Sequence, residues 1–455
     1  MAYTHDLIVI GAGMAGLNAV GRAAGDGRRI ALIERGMIGG TCPTRGCIPT
    51  KAMIRSAEIA HEARRSSEFG VHVGSVTVDF AAVMERVRKI IQQGSDGSRR
   101  WAESLARLER VDGDATFAGP QTIVVNGRQL TSPRIVVATG AAPSVPPIPG
   151  LDRVPFWTSD DLLKASELPK RLLVIGAGPI ALELGQAMSR FGSAVTMVEV
   201  APALLPRSEP ELVDILRGFL AGEGIEIITD VTIEEVRPGP ELVMTVDGAT
   251  RTLQGNVLLV ATGRAAGVEG LGLEHTAVQA DGHGVNVDPY LATGEEGIYA
   301  AGDVVGLPYG AFTHVARRMG ISVAENALAL SPHAADQDVG PTAIFTDPEL
   351  AAVGLTETAA REAGYDIGVA SSGFSGGKAR AWGEERGMVK VILDRPTRRI
   401  LGAHVLAYHG ADLINLVAVA MKAPGGTVDP ILAAFHIHPT LGEVVQTVAK
   451  TAAGS

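Results

Sequence analysis

Leu7-Ile8-Val9-Ile10-Gly11-Ala12-Gly13-Met14-Ala15-Gly16 is the stretch that decides the fold. Four apolar residues suit a buried parallel strand, and the glycines after them open onto the helix-like LNAVGRAA. A second apolar run, Ile30–Ile33, ends in Glu34, 23 residues after Gly11. Strand, glycine turn, helix and distal acid together form a dinucleotide fingerprint. Gly11 makes the tight turn, Gly13 lets backbone approach a pyrophosphate, and Gly16 permits close helix–strand packing. The helix N-terminus then faces the phosphates, and Glu34 accepts a ribose hydroxyl. The competing reading is a glycine-rich turn with no ligand.

The same pattern recurs at Leu172–Ile175, followed by Gly176-Ala177-Gly178-Pro179-Ile180-Ala181 and the run Val195–Val198. That run ends in Glu199, again 23 residues after the first glycine. Ala181 replaces the third glycine, a position that only packs. An acid at Glu199 favours the free 2′-hydroxyl of NAD, whereas NADP sites usually place cations there. Two such sites imply two cofactors, most simply a flavin (FAD) and NAD exchanging hydride.

Composition narrows the class. The chain has 455 residues, which suggests about three domains. Its 46% hydrophobic and 20% charged residues suit a globular protein rather than a disordered one. A net charge of −10 argues against nucleic-acid or anionic-membrane partners. No apolar run is long enough to span a bilayer, and no signal peptide is recognisable at the N-terminus, so a cytoplasmic location is expected. The 56 glycines have no collagen-like period and belong in turns or close backbone approaches.

There are only two cysteines, Cys42 and Cys47, in the stretch Gly39-Gly40-Thr41-Cys42-Pro43-Thr44-Arg45-Gly46-Cys47-Ile48-Pro49-Thr50-Lys51. Four residues between them is about one helical turn, which can bring the sulfurs together. A metal site would need further ligands, so no metal is expected, although zinc or inert thiols are the alternatives. Beside a flavin site, dithiol/disulfide chemistry is the favoured reading.

This segment, GGTCPTRGCIPTK, resembles the GGTCxNxGCxPSK motif of the flavin-dependent pyridine nucleotide–disulfide oxidoreductases. That family includes dihydrolipoamide dehydrogenase, glutathione reductase and mercuric reductase. The resemblance extends through Ala138-Thr139-Gly140, Ala261-Thr262-Gly263-Arg264, Ile298–Val304, Phe345-Thr346-Asp347-Pro348-Glu349 and His436-Ile437-His438-Pro439-Thr440-Leu441-Gly442-Glu443. Pro43 and Thr44 depart from the usual pair.

The resemblance implies roles for particular residues. Cys47 is the thiolate against the flavin and Cys42 the interchange thiol that meets substrate sulfur. Lys51 lies near the flavin and pairs with Glu183. Asp303 binds the ribitol chain and Thr313 contacts the flavin through its backbone. Gly40, Thr41, Ala115, Thr139 and Gly140 join the FAD contacts, and Gly263 those of the nucleotides. His438 is the general acid/base, supplied by the other subunit of a homodimer and held by Glu443. His436 is read as structural.

The implied fold is α/β, with two Rossmann-like dinucleotide-binding domains and an α+β C-terminal dimerisation domain. The expected boundaries are 1–147 and 266–333 for FAD, 148–265 for NAD and 334–455 for the interface. A helix capped by Asp79 is expected to run through Val83, Val87, Ile90 and Ile91 and break at Gly94-Ser95-Asp96-Gly97. A further cysteine pair, as in mercuric reductases, or the C-terminal redox group of large thioredoxin reductases is missing, and Glu199 speaks against an NADPH-linked glutathione reductase. An NAD-linked dihydrolipoamide dehydrogenase acting on a lipoyl-bearing protein or small disulfide is therefore expected. The alternatives are reduction of another disulfide or of mercuric ion, or a non-catalytic redox sensor.

Overall fold

In the computed structural model, which describes residues 2–306, 312–336 and 340–454, the opening apolar run becomes the central strand of a five-stranded parallel sheet. The order is Ile298–Ala300, Ile135–Val137, Leu7–Ile10, Ile30–Glu34 and Leu108–Asp112. All four residues of Leu7–Ile10 are buried, as a strand covered on both faces requires. Leu7 pairs with Ile30 and Ile10 with Ile33, so the register delivers Glu34 to the strand end beside the glycine turn. That is where open α/β sheets bind ligands.

A second parallel sheet repeats the device, in the order Glu226–Ile228, Ala194–Val198, Arg171–Ile175 and Val257–Val260. Its helix Pro179–Phe191 starts with proline, whose missing N–H costs nothing at that position. A short antiparallel pair, Ala141–Pro143 with Arg264–Ala266, joins the strands entering and leaving this domain. The C-terminal part is a five-stranded antiparallel sheet, in the order Thr342–Ile344, Glu349–Gly354, Ile400–Ala407, Met388–Asp394 and Ile367–Gly373. The helices Gly410–Lys422 and Gly442–Ala452 share its core through Ile414, Val417, Val445 and Val448. The whole is a mixed α/β fold of two Rossmann-like domains and an α+β domain.

One local expectation is corrected. The helix beginning after Asp79 does not break at Gly94–Gly97 but continues from Phe80 to Glu103. Asp79 caps it by accepting from the Ala82 N–H at 3.0 Å. Glycine in a helix costs about 1 kcal/mol relative to alanine, and packing outweighs that here. Phe80, Met84 and Val87 are buried on one face. At Gly94 the missing side chain makes room for Pro43, since a Cβ there would stand 3.1 Å from the Pro43 Cβ. Gln92 donates to Asp96 at 2.9 Å and the Ser98 hydroxyl to the Gly94 carbonyl at 3.1 Å, holding the turn together.

The second parallel domain is pinned to the C-terminal sheet by a buried cation. Lys390 is hydrogen-bonded to Glu209 at 2.8 Å, Glu211 at 2.9 Å and Glu357 at 2.7 Å. Burial alone would favour the neutral amine, but these carboxylates hold the ammonium charged, well above its ordinary range. Removing Lys390 would leave the buried Glu209 carboxylate without its cation. Among the described residues no helix is long and apolar enough to cross a membrane.

Candidate active site

The two fingerprints fold alike down to single hydrogen bonds. Gly11 and Gly176 adopt φ of 102° and 100°, conformations that glycine enters freely. A Cβ at Gly11 would lie 2.3 Å from the Ala138 carbonyl, and one at Gly176 2.6 Å from that of Ala261. Glu34 accepts from the Ala12 N–H at 2.7 Å and the Gly36 N–H at 2.8 Å. Glu199 accepts from the Ala177 and Ala201 N–H groups, both at 2.9 Å. Each carboxylate is thereby oriented, while its remaining lone pairs stay free for a ribose.

Segment 39–44 folds over the first turn. The Gly39 N–H donates to the Ala12 carbonyl at 2.9 Å. Gly40 lies against Gly13 so closely that a Cβ on Gly40 would stand 2.4 Å from the Gly13 Cα. Thr41–Thr44 forms one helical turn carrying Cys42, and the buried Thr44 hydroxyl donates to the Gly40 carbonyl at 2.7 Å. Pro43 fills the space between Gly39 and Gly94. The departures at Pro43 and Thr44 are thus local packing devices. Cys47 opens the helix Cys47–Arg65, which also carries Lys51.

Both cysteines are thiols here and their environments differ. A hydrogen bond from the Cys42 thiol lowers the Cys47 thiol to about 6 against the cost of burial, and the Thr313 hydroxyl and the Lys51 charge act in the same sense. Cys42 is pushed up by the same contact and by burial. The Thr313 Oγ1 lies 3.4 Å from the Cys47 Sγ. Cys47 is therefore the better thiolate and the better leaving group.

Lys51 Nζ donates to Glu183 Oε2 at 2.7 Å. Glu183 is buried in the helix Pro179–Phe191, so the bond joins the cysteine helix to the second domain. In the C-terminal domain His438 Nδ1 lies 3.0 Å from Glu443 Oε1, and Glu443 Oε2 accepts from the Thr440 N–H at 2.8 Å. That N–H and then His438 hold the Glu443 carboxyl below its ordinary range. The His438–Pro439 bond is cis. Within one chain no hydrogen bond among the described residues links His438 to Cys42 or Cys47. The imidazole is exposed, flanked by the exposed apolar Phe435 and Ile437. His436 Nε2 is 3.0 Å from the Ile431 carbonyl.

Other predicted residues follow the strand ends of the first parallel sheet. Thr139 and Gly140 follow the strand Ile135–Val137, with Gly140 at φ 71°. Gly302 precedes Asp303 with φ 82°, and Ala115 is buried before the strand Thr116–Gly119. Asp303 is raised by burial, opposed by the Arg264 charge. Gly263, at φ 111°, sits in the matching position of the second domain.

Three contributions escaped the sequence reading. They are the Thr313 side chain, Arg264, and Phe345, whose ring and amide both meet the Lys51–Glu183 pair. The ATGR and FTDPE motifs marked the last two without suggesting a role. Among the described residues no three His, Cys, Asp or Glu converge as a metal site.

The chain matches the pyridine nucleotide-disulphide oxidoreductase family over residues 5–329 and that family's dimerisation domain over 340–449. It belongs to this family. Among curated relatives are a mercuric reductase of Staphylococcus aureus, 34% identical over 98% of this chain and 82% of its own length, and a dihydrolipoyl dehydrogenase of Bacillus subtilis, 33% identical over 100% and 99%. A dihydrolipoyl dehydrogenase of Chlorobaculum tepidum is 35% identical over 99% and 97%. The solved HOCl-induced flavoprotein disulfide reductase RclA of Escherichia coli superposes with a TM-score of 0.88 at 29% identity, covering 98% of this chain and 99% of that one. The protein is thus a flavoprotein disulfide oxidoreductase of the family that uses FAD and a nicotinamide dinucleotide.

The residues present fit the flavin. The Gly13–Gly40 contact leaves bare backbone at the phosphate turn. The buried Thr139 Oγ1 and Arg264 Nε have no hydrogen-bond partner among the described residues. Buried polar atoms without partners are rare in folded proteins, and a cofactor rich in hydroxyl and carbonyl groups supplies what these lack.

Proposed function

We propose that this oxidoreductase moves an electron pair between a neutral, lipoyl-like dithiol and NAD, with FAD at the first fingerprint and NAD at the second. The observation that carries the reading is the Cys47 sulfur at the start of the helix that also carries the Lys51–Glu183 pair, with the Thr313 hydroxyl 3.4 Å away. Glu199 supports NAD, since a carboxylate at the ribose opposes a 2′-phosphate.

In the dithiol-oxidising direction one substrate thiol attacks the Cys42 sulfur of a Cys42–Cys47 disulfide. The S–S bond breaks, Cys47 leaves as thiolate, and His438 takes the proton from the attacking thiol. The second substrate thiol then attacks the substrate sulfur joined to Cys42; the mixed S–S bond breaks, the substrate disulfide forms, and Cys42 leaves and takes up that thiol's proton. FAD, which the Gly11–Gly16 turn, Gly40 and Thr139 would hold, would supply the two-electron relay between the reduced cysteine pair and NAD. Glu443 holds the imidazole so that its other nitrogen faces the exchanging sulfurs. His438 serves the cysteines of a second subunit, whose docking covers Phe435 and Ile437; the dimerisation domain supports that arrangement.

The second reading is metal-ion reduction, favoured by the mercuric reductase relatives and by a Cu(II) complex of the RclA neighbour, 28% identical with a TM-score of 0.86. A steady-state screen of NADH and NADPH against lipoamide, glutathione disulfide and mercuric ion separates the two. NADH-driven lipoamide reduction is expected. A strong NADPH preference, or turnover with mercuric ion but not lipoamide, would reject the reading.

A further inference from the structure

Phe345 touches both members of the Lys51–Glu183 pair, and it comes from a different domain from either. Its backbone N–H donates to Glu183 Oε1 at 2.9 Å, leaving Oε2 for Lys51. Its ring centroid lies 4.3 Å from Lys51 Nζ, close enough for a cation–π interaction. The residue stands just after the edge strand Thr342–Ile344 of the C-terminal sheet, and the segment that follows is heavily anchored. The Asp347 N–H donates to Gln186 Oε1 at 2.8 Å, and Gln186 Nε2 donates back to the Asp347 carbonyl at 2.9 Å. The Asp347 carboxylate pairs with Arg190 at 2.8 Å and Arg386 at 2.9 Å. Burial would raise that carboxyl, but these two guanidiniums hold it below its ordinary range. Gln186 and Arg190 lie on the same helix as Glu183.

We infer that Phe345 is a positioning residue, through which the C-terminal domain fixes the Lys51 ammonium at the flavin. The inference rests on the proposed placement of Lys51. Glu183 alone can hold a lysine anywhere on a cone around its oxygen, because an ammonium is a point charge on a flexible stem. The ring face adds a second constraint from another direction, and the amide stops the carboxylate from swinging. The anchored segment makes both stiff, because its attachments run to the helix that carries Glu183.

The test is a double-mutant cycle read on the pre-steady-state rate of flavin reduction by NADH in the holoenzyme. Phe345→Leu keeps the backbone amide and most of the volume but removes the ring face. It is expected to slow the step about 3- to 10-fold, in keeping with a partly exposed cation–π contact, whereas Phe345→Tyr keeps the wild-type rate. In a Lys51→Met background, Phe345→Leu is expected to have no further effect, since coupled residues are non-additive. The same fold-loss with and without Lys51 would overturn the positioning role and leave only packing. A wild-type rate in Phe345→Leu would overturn it too. If Lys51→Met alone left the rate unchanged, the placement of Lys51 would be wrong, a failure distinct from additivity.

Discussion

The two dinucleotide turns share strand, glycine conformation and carboxylate bonding, yet they differ in what lies over them. Segment 39–44 roofs the first, with Gly40 packed on Gly13. Over the second, a Cβ placed on Gly178 would meet nothing within 4 Å. The third position differs too. A Cβ on Gly16 would fall 1.9 Å from the Gly11 carbonyl oxygen, whereas Ala181 carries its methyl fully buried. The same local motif therefore makes two kinds of site. A roofed turn suits a cofactor that stays through every turnover, and an open one suits a cofactor that enters and leaves. The roof also carries Cys42, so on the proposed cofactor placement the cysteine turn is built onto the flavin side of the molecule.

Substitutions can break this comparison. The largest effect is expected at the roof, where Gly40→Ala drives a methyl into Gly13 at a backbone of φ 69°. The purified variant should lack flavin absorbance, while Gly178→Ala should keep full flavin content and change only the KM for NADH. Equal flavin loss in both would erase the distinction. Next, Gly16→Ala should lower stability by about 1–3 kcal/mol, the usual cost of overpacking, as read from denaturant midpoints.

Glu199→Ala is expected to raise the KM for NADH about tenfold, as loss of a charge-assisted hydrogen bond does, with flavin content unchanged. Glu34→Ala should instead lower flavin retention. A swap of these phenotypes would reverse the assignment of cofactors.

A subtler effect concerns Cys47. A lowered thiol is a thiolate above its midpoint and is protonated as pH falls through it. The long-wavelength thiolate–flavin absorbance of the two-electron-reduced enzyme should therefore fade as pH drops through about 6. Thr313→Ala should move that midpoint upward and Thr313→Ser should restore it; an unmoved midpoint would show that the hydroxyl does not serve the sulfur. Ala181→Gly is expected to lose about 1–2 kcal/mol of stability, from the buried methyl it removes together with lost helix propensity.

Much of the site was legible because its signals are local. Gly11 to Glu34 lies within one strand–helix–strand unit, and Cys42 and Cys47 stand five positions apart, although on two consecutive helices, Thr41–Thr44 and Cys47–Arg65, rather than on one continuous turn. His438 and Glu443 are five residues apart and meet as a hydrogen-bonded pair. Contacts between distant segments were less legible. Thr313 was expected to act through its backbone, yet its hydroxyl lies against a sulfur 266 residues away in sequence. Phe345 stood in a recognisable motif, but nothing in that motif shows that its amide meets Glu183, 162 residues earlier. The glycines at 94–97 read as a helix break because propensity is local, whereas the helix survives by packing on Pro43 and the core.

By itself, the sequence determined that two strand–turn–helix units each end in a carboxylate, and that a close cysteine pair follows the first. Such features need only the steric demands of a glycine turn and the period of a strand or helix, which neighbouring residues satisfy among themselves. Only the tertiary structure decided which turn is roofed, that the Thr313 hydroxyl lies against the Cys47 sulfur, and which aromatic ring lies over the Lys51 ammonium. Those depend on close approaches between segments far apart in the chain, where a few tenths of an ångström separate a contact from a clash.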